Sequence, residues 1–429
     1  MPTRNKAHRK GATMMLRALL AFALCDVARA TFFDNLSPRR DSTGSIMDSH
    51  DFSLRRIPAD PYYYMTSIAY GLCKEPANYG CDQTADKCGF QPNHTINVWK
   101  SLDLSSGSWE FVTTAIAEKQ RVDGTIFRPD GIWNPNTQTW VVWYNAPNYA
   151  GESGTSACSA ALALLTYLLT RASPLFSHSP VGYSAYTAPS PAGPYTLARA
   201  AVNVTIVNST QHCGDFHLFV DPADNTPYVI AGCNFHMWIE RLLPNMLDSA
   251  GDTGPTGRFL FDEYFIEAPA LFYRPLNGKP MYYAVFGHCC CYCYQGSGAI
   301  VHTAPHPLGP WTTLGDVACI PDAAKTTAGD EFLAAIGVSA LPTPGQGCQY
   351  VDPKTTSALR AQQSFIAEVD TPTGPAFLWA GDRWQQSWDG LKGHDPQTWV
   401  PLVFDETTGA IAPLRWLDNF TVDIVSGQK

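Results

Sequence analysis

A diverged internal repeat is the feature of this sequence that most constrains its fold. The segment 187–196 reads Thr-Ala-Pro-Ser-Pro-Ala-Gly-Pro-Tyr-Thr and recurs at 303–312 as Thr-Ala-Pro-His-Pro-Leu-Gly-Pro-Trp-Thr, with a weaker copy at 101–109. Each copy follows a strand-like stretch, so the same hairpin edge returns at widely spaced positions. Such recurrence is typical of a radial β architecture, a β-propeller, although a β-sandwich with similar turns is the alternative interpretation.

Short β-type runs dominate the rest of the chain, and 33 glycines and 33 prolines supply turns between them. Predicted strands lie at 62–67, 140–144, 216–220, 228–231, 281–286 and 377–380. Long amphipathic helical patterns are nearly absent. An apolar, helix-prone stretch at 159–169 is too short to cross a membrane, and we interpret the surrounding segment 151–180 as an insertion. The sequence therefore predicts an all-β fold.

The first thirty residues have the pattern of a secretory signal. Basic residues are frequent up to Arg17, an apolar run follows at 18–24, and Ala28-Arg29-Ala30 fits a small-x-small cleavage site. Because the apolar run is too short to span a bilayer, a membrane anchor is disfavoured. We predict a signal peptide at 1–30, one mature domain at 31–429 without a membrane span, and secretion from the cell.

Cysteine usage agrees with a secretory route. Of thirteen cysteines, Cys25 leaves with the signal, so the mature chain keeps an even number, which favours disulfides in an oxidising compartment. The cluster 288–293, His-Cys-Cys-Cys-Tyr-Cys, could also hold zinc or copper, but it lacks a clean Cys-x-x-Cys spacing. We therefore predict disulfides to partners such as Cys319 or Cys348. Glycosylation sequons stand at Asn93, Asn203, Asn208 and Asn419.

The charge balance excludes one class of partner. Lys and Arg number 29 against 38 Asp and Glu, which gives a net charge of −9 without any basic stripe. A nucleic-acid-binding protein needs a basic surface, so nucleic acid is not a predicted partner. A hydrophobic content of 45% and an aromatic content of 12% are enough for a sizeable core.

Three carboxylates at strand boundaries are candidate catalytic residues. Glu267 ends one strand-like stretch, is fixed by the following Ala-Pro, and is a candidate general acid. Asp51 and Asp215 open similar strands, and three carboxylates brought together from separate repeats suit a site that cleaves glycosidic bonds. Asp60 lies in a comparable Ala-Asp-Pro sequence, but it directly precedes 62–64, where a hairpin turn is expected.

Short segments spread over most of the chain form an ordered set: 41–44, 50–54, 62–64, 101–104, 127–134, 215–221, 267–269, 309–311 and 381–384. In their order along the chain, these segments resemble glycoside hydrolase family 43 (GH43) and its relatives, the five-bladed β-propeller glycosidases. The resemblance implies a five-bladed β-propeller and an inverting glycosidase with Asp51 as base, Glu267 as acid and Asp215 tuning the pKa of the acid. It implies no organic cofactor and, by analogy alone, a calcium ion on the propeller axis, for which the sequence shows no ligand set.

The nearest branch is that of the exo-β-1,3-galactanases. It shares the Asp-x-x-Gly opening, the Arg-Pro strand and a glutamine before the last blade, which here is Gln362. In that branch the usual base aspartate is missing and the glutamine stands in for it. This chain has Asp51 where the branch has glycine, which favours an aspartate base, and Phe127 where the branch has glutamate, which speaks against galactan specificity.

Further residues are predicted to bind substrate: Gln362, Arg383, Trp384, Arg128 and His50. Arginine donates hydrogen bonds to sugar oxygens, and tryptophan stacks on sugar faces. Alternative roles remain for several of them: Trp384 and Trp388 also suit a blade core, Gln362 a satisfied core amide, and His50 a buried, hydrogen-bonded histidine.

The predicted function is that of a monomeric, secreted glycosidase acting on a polysaccharide or oligosaccharide of the arabinan, xylan or galactan type. The alternatives are a carbohydrate-binding propeller without catalysis and a cysteine-rich extracellular interaction protein. Convergence of Asp51, Asp215 and Glu267 in one pocket distinguishes the glycosidase from both.

Overall fold

The computed structural model describes residues 27–74, 94–120, 126–146, 182–204, 213–233, 236–251, 258–261, 266–288, 297–318 and 359–426. The strands in this part of the chain form four sheets of four strands, one of three and one of two. The predicted insertion at 151–180 and the cysteine cluster at 289–293 lie outside the described residues, as do Asn93, Asn208, Cys319 and Cys348.

The strands follow one another as antiparallel meanders. Their bounds are β1 Val27–Asp34, β2 His50–Arg56, β3 Tyr63–Ala69, β4 Thr95–Ser101, β5 Glu110–Ile116, β6 Phe127–Asn134, β7 Thr139–Ala146, β8 Gly182–Ala188, β9 Thr196–Arg199, β10 Cys213–Val220, β11 Pro227–Cys233, β12 His236–Arg241, β13 Arg258–Leu260, β14 Ile266–Tyr273, β15 Tyr282–His288, β16 Ile300–Ala304, β17 Thr312–Asp316, β18 Gln362–Thr371, β19 Gly374–Asp382, β20 Gln397–Pro401 and β21 Asn419–Ser426. Short 3₁₀ helices lie at Glu118–Gln120 and Lys392–His394.

Five of the sheets are the blades of a β-propeller. Blade 1 is β2–β5, blade 2 is β6–β9, blade 3 is β10–β13, blade 4 is β14–β17 and blade 5 is β18–β20. The first strand of each blade lies against the first strands of its two neighbours, in the closed ring β2, β6, β10, β14, β18. These five inner strands therefore surround the propeller axis, and the predicted all-β, five-bladed fold is confirmed.

The hydrophobic core lies between the blades. Each of five large clusters is built from two adjacent blades, for example β10–β13 with β14–β16, because a blade has two faces and both must be covered. Large aromatic side chains fill these spaces and are fully buried, among them Trp140, Trp143, Trp379 and Trp399. Truncating one such residue to alanine typically costs about 3–5 kcal/mol.

The sequence repeats coincide with the outer hairpins of the blades. The copies at 187–196 and 303–312 join the third strand to the fourth in blades 2 and 4, and 101–109 does so in blade 1. Both long copies contain a cis proline at the same place, Gly193-Pro194 and Gly309-Pro310. The repeat is thus the edge of a blade, as the propeller interpretation requires.

The two ends of the described chain close the ring beside blade 5. Strand β1 pairs antiparallel with β21, from Val27 opposite Ser426 to Asp34 opposite Asn419. Asn35 then fixes β1 to blade 5, because its side chain accepts the N–H of Trp399 at 2.9 Å and donates to the Trp399 carbonyl at 2.8 Å. Strand β1 begins at Val27, inside the predicted signal peptide, and cleavage after Ala30 would leave its second half in place.

Among the described residues there is no helix long and apolar enough to cross a membrane.

Candidate active site

Each inner strand starts with an irregularity at the same end of the propeller. The ladder shifts register between His50 and Ser53, 127 and 130, 213 and 216, 267 and 270, and 363 and 365. A β-bulge of this kind re-aims the side chains next to it, and bulges are frequent beside active sites. The predicted site residues Asp51, Arg128, Asp215, Glu267 and Gln362 all lie in or next to these five bulges. The fold thus brings them to one end of the axis.

Arg128 is the centre of this cluster. Its Nε lies 3.2 Å from Oδ1 of Asp51 and 3.2 Å from Oδ2 of Asp215, while one terminal nitrogen donates to the carbonyl of Gln363 at 2.9 Å. Burial alone would lower the pKa of Arg128, but Asp215, Asp51, Asp382 and Glu267 together raise it above its usual value. In this structure its contacts hold carboxylates from neighbouring blades together. The predicted contact of Arg128 with substrate stays a prediction.

Asp51 is a buried carboxylate beside this guanidinium. Its side chain is 6% exposed, and its backbone has a left-handed φ of 49° at the bulge of β2. Burial raises the pKa of the Asp51 carboxyl, Arg128 opposes that rise, and Asp215 adds to it. A carboxylate with a raised pKa in contact with a fixed cation is suited to accept a proton.

Glu267 lies on the opposite inner strand, β14, and is partly buried. Its Oε2 lies 3.3 Å from the side-chain nitrogen of Gln362, and the indole N–H of Trp384 donates to the other end of that amide at 2.7 Å. Gln362 and Trp384 therefore form a chain of hydrogen bonds that ends on Glu267. Both are almost fully buried.

Asp215 links Arg128 to the segment that carries Glu267. Besides contacting Arg128, its Oδ2 accepts the backbone N–H of Ala268, the residue after Glu267, at 3.1 Å. A disulfide between Cys213 and Cys233 joins β10 to β11 two residues before Asp215, and Tyr183 donates to the carbonyl of Gly214 at 3.0 Å. The start of β10 is thereby fixed to β11 and to β8 beside the bulge that carries this carboxylate.

A wall of aromatic rings stands beside Asp51. His50 is fully buried, stacks on Trp384 with ring centroids 5.3 Å apart, and meets the edge of Tyr70 at 5.3 Å. The ammonium of Lys392, also buried, lies 4.5 Å from the Tyr70 ring and 4.6 Å from the Trp384 ring, and its charge lowers the pKa of Asp51. The ring of Trp384 is thus in contact with His50 and Lys392, and its N–H donates to Gln362.

The structure does not bring Arg383 to the carboxylates. Its guanidinium donates to the carbonyl of Asn35 at 2.8 Å and to the side chain of Gln386, and it lies over the ring of Trp416. The neighbouring Trp388 is 59% exposed, so it is not a blade-core residue. Arg383 follows directly after the last residue of β19, and its guanidinium is held by Asn35 and Gln386.

Asp60, the alternative base, lies at the far end of β2 from Asp51. Its carboxylate accepts the N–H of Tyr62 at 3.0 Å and the hydroxyl of Tyr64 at 2.9 Å in the turn between β2 and β3. It is the turn residue that its position in the sequence predicted. The bulge end of the strand carries Asp51 alone.

Two charged residues of the site escaped sequence analysis. Asp382 is fully buried, and its Oδ2 accepts the backbone N–H of Asp51 at 2.8 Å. Asp382 belongs to the Gly-Asp-Arg-Trp segment at 381–384, in which Arg and Trp are the residue types typical of sugar binding. Lys392 comes from the loop between β19 and β20 and carried no signal, because an isolated lysine in a polar loop is ordinarily on the surface.

The propeller axis below the carboxylates is occupied by an arginine. One terminal nitrogen of Arg55, from β2, contacts Oδ2 of Asp130 on β6 at 3.3 Å, and it also contacts the ring of His217 and donates to the Leu218 carbonyl on β10. The guanidinium carbon lies 4.3 Å from the ring of Phe365 on β18. His217 in turn accepts the N–H of Leu271 on β14 at 2.7 Å. All five inner strands therefore contribute to this layer.

These axial residues do not fit a calcium ion. Calcium needs six to eight oxygen ligands, whereas in this layer a fixed positive charge, Arg55, already pairs with the carboxylate of Asp130. Burial and the charge of Arg55 lower the pKa of His217 well below its usual value, so this histidine is neutral. No group of three or more His, Cys, Asp or Glu in the described part of the chain is arranged to hold a metal.

Among known proteins, this chain matches solved structures but no sequence family or curated sequence. No protein-family profile matches the chain, and no curated protein matches it in sequence. Solved structures do match. An exo-β-1,3-galactanase from Clostridium thermocellum superposes with a TM-score of 0.58 at 18% identity, over 92% of this chain and 67% of that one.

Two further structures agree. An exo-β-1,3-galactanase from Phanerochaete chrysosporium with β-1,3-galactotriose gives a TM-score of 0.59 at 16% identity, over 93% of this chain and 70% of that one. A GH43 β-1,3-galactosidase with galactodeoxynojirimycin gives 0.57 at 18% identity, over 90% and 99%. The chain has the fold of these GH43 propellers. At such low identity the likeness establishes the fold, and the activity has to be argued from the site.

Proposed function

We propose that this protein is a glycoside hydrolase that cleaves an O-glycosidic bond with inversion. The observation that carries the proposal is that Asp51, Asp215 and Glu267, from three different blades, lie around Arg128 at one end of the axis. Glycosidases need two carboxyl groups that flank the scissile bond, one as acid and one as base. A lectin has no need to bury several carboxylates around one arginine, because burying charge is costly.

The reaction assigns opposite roles to the two sides of the cluster. Glu267 donates its proton to the glycosidic oxygen while the bond from that oxygen to the anomeric carbon breaks. Asp51 takes a proton from a water molecule whose oxygen forms the new bond at the opposite face of the same carbon. The products are the sugar with inverted anomeric configuration and the free leaving-group alcohol. An inverting pair stands about 6.5–9.5 Å apart to leave room for that water.

Asp51 is the better candidate for the base, and Gln362 for a residue that orients the acid. Gln362 touches Glu267 directly, at 3.3 Å, so no water fits between them. An inverting base has to stand across the sugar from the acid. Asp51 is instead flanked by the cations Arg128 and Lys392, which favour its ionised form against the effect of burial.

For the substrate, we propose a β-linked galactan or its oligosaccharides as the first class to test. Three of the structurally similar proteins are exo-β-1,3-galactanases or a β-1,3-galactosidase, and one holds β-1,3-galactotriose. Phe127, partly buried beside Ile68, Tyr70 and Trp384, takes the place of the glutamate of that branch, so arabinan and xylan belong in the same panel.

The test is hydrolysis of aryl galactosides, xylosides and arabinofuranosides, together with β-1,3-galactan, xylan and arabinan. Glu267→Gln keeps the size of the side chain and removes the proton donor, and we expect it to lower kcat by about 10²–10⁴-fold on polysaccharide. The matched control is Asp60→Asn, which changes a carboxylate in the β2–β3 turn and should keep full activity. If the wild type binds glycan but hydrolyses nothing in the panel, the carbohydrate-binding alternative replaces this proposal.

We also propose that the protein is secreted and acts as a monomer without an organic cofactor. The signal-like segment at 1–30 and the Cys213–Cys233 disulfide support the secretory route. The sequons at Asn203 and Asn419 lie at exposed positions, as glycosylation requires.

A further inference from the structure

Asp382 is a buried carboxylate in the site to which neither the sequence nor the family resemblance gives a role. It is the last residue of β19, opposite Gln362, and none of its surface is exposed. Its Oδ2 accepts the backbone N–H of Asp51 at 2.8 Å and the hydroxyl of Ser364 at 2.5 Å. The carboxylate therefore ties blade 5 to blade 1 at the residue proposed as base.

The backbone of Asp51 needs such a partner. Its φ of 49° is left-handed, a conformation that costs a residue with a Cβ roughly 1–2 kcal/mol. It also lies in the bulge of β2, where the ladder to β3 skips from His50 to Ser53 and leaves the Asp51 N–H without a strand partner. A buried N–H without an acceptor costs about 1–3 kcal/mol more. Asp382 supplies the acceptor.

The same arrangement occurs at the proposed acid. Ala268, directly after Glu267, has a left-handed φ of 56° in the bulge of β14. Its N–H is accepted by Oδ2 of Asp215 at 3.1 Å, and Asp215 comes from the preceding blade, as Asp382 does for Asp51. In blade 1 and in blade 4, a carboxylate from the preceding blade of the ring thus accepts a hydrogen bond from the bulge that carries a proposed catalytic carboxyl group.

We propose that Asp382 is the positioning residue for Asp51, as Asp215 is for the segment that carries Glu267. This inference rests on the proposed function for its effect on rate. By accepting the N–H of Asp51, Asp382 keeps the left-handed turn that directs the Asp51 carboxylate to Arg128, 3.2 Å away. Asp382 itself has no contact with substrate in this scheme.

The test compares Asp382→Ala with Asp382→Asn on the substrate that the panel identifies. Asparagine keeps an oxygen for the Asp51 N–H and alanine does not. We expect the alanine variant to lower kcat about 100-fold with KM changed little, since a catalytic group displaced by about 1 Å loses this much. The asparagine variant should stay within about tenfold of the wild type. Equal losses in both variants, or none in either, would overturn the proposal.

Two further variants keep the test decisive. Ser364→Ala removes only the second hydrogen bond of Asp382 and should fold even if Asp382→Ala does not; we expect a loss of kcat of severalfold, and an unchanged kcat would count against the proposal. Asp221→Asn alters a buried carboxylate in the β10–β11 turn, bonded to Tyr282, and should leave kcat unchanged. If Asp221→Asn also lowered kcat, the loss in Asp382→Ala would be a general effect of altering a buried carboxylate, and the positioning role would be overturned.

A readout without activity separates this inference from the proposed function. A crystal structure of Asp382→Ala, or of Ser364→Ala if the first does not fold, should show residue 51 leaving the left-handed region and its carboxylate moving off Arg128. That result supports positioning even if the wild type is inert on every glycoside. An unmoved Asp51 overturns the positioning role, whatever the activity of the wild type.

Discussion

The side-chain nitrogen of Gln362 lies 3.3 Å from Oε2 of Glu267, so the glutamine at the start of blade 5 is a neighbour of the proposed acid. Asp51, on the neighbouring inner strand β2, meets Arg128 at 3.2 Å. The two candidates for one role, the catalytic base, thus have different neighbours: Gln362 contacts the proposed acid and Asp51 contacts Arg128. Kinetics on substrates with different leaving groups can assign them.

We predict that Asp51→Asn lowers kcat by about 10²–10⁴-fold on aryl glycosides with good and with poor leaving groups alike, because activation of water does not depend on the leaving group. Gln362→Ala should lower kcat less than Glu267→Gln does. For both variants, the loss of kcat should be largest on substrates with poor leaving groups, because these need protonation. Measurement of kcat on dinitrophenyl and unsubstituted phenyl glycosides checks both. If Gln362→Ala is as damaging as Asp51→Asn on dinitrophenyl substrates, the glutamine is the base.

Arg128 is expected to be a major determinant of stability. Arg128→Met leaves the buried Asp51 and the partly buried Asp215 without their shared cation, and breaking a buried ion pair from one side costs about 3–5 kcal/mol. Urea unfolding at pH 7 and pH 4 measures this cost, which should shrink at pH 4 because burial raises the pKa of the Asp51 carboxyl and favours its protonation there. The control is Arg199→Met, whose pair with Asp248 is exposed and should cost less than about 1 kcal/mol. A loss that is identical at both pH values would contradict the prediction.

Asp382 should make stability depend on pH in a defined direction. Burial raises the pKa of its carboxyl, and so does the adjacent Asp51, although His50 and Arg128 oppose this. The folded state therefore binds the proton more tightly than the unfolded state, whose pKa is about 4, and stability is lost as pH rises through the folded-state pKa. Asp382→Asn resembles the protonated form at every pH.

We thus expect the melting temperature of Asp382→Asn, relative to that of the wild type, to rise from pH 4 towards pH 8. Differential scanning calorimetry across this range is the measurement. A difference that stays constant, or that falls with pH, would show that the aspartate is ionised without penalty in the folded protein.

Because Arg55 occupies the axis, the stability of the propeller should not depend on calcium. Because its guanidinium already pairs with Asp130 on the axis, a chelator should leave the melting temperature of the wild type unchanged. Arg55→Met, of similar length and without charge, should lower the melting temperature, since it leaves Asp130 buried and unpaired. Metal analysis of the wild type and of Asp130→Asn completes the test. Metal present in the wild type and absent from Asp130→Asn would place an ion on the axis.

The sequence by itself determined the blade pattern and supplied the candidate site residues. Recurring hairpin edges such as 187–196 and 303–312 carry turn chemistry that is local, and alternating aromatic strands carry their own period, so both can be recognised without a partner. The proline after Ala268 and the turn chemistry of Asp60 are local in the same sense, and they made Glu267 and Asp51 the candidates. The structure places Asp60 in the β2–β3 turn and Asp51 beside Arg128, while the catalytic roles stay predictions.

Only the tertiary structure decided how these residues pair. The sequence could not show that Arg128 holds Asp51 and Asp215, or that Arg383 donates to the carbonyl of Asn35. Such partners lie tens to hundreds of residues apart and meet only when the ring closes. The direction of a side chain at a bulge depends on one inserted residue in the ladder, which composition and spacing do not reveal. For the same reason Asp382 had no visible role until β19 was seen beside β18 and the start of β2.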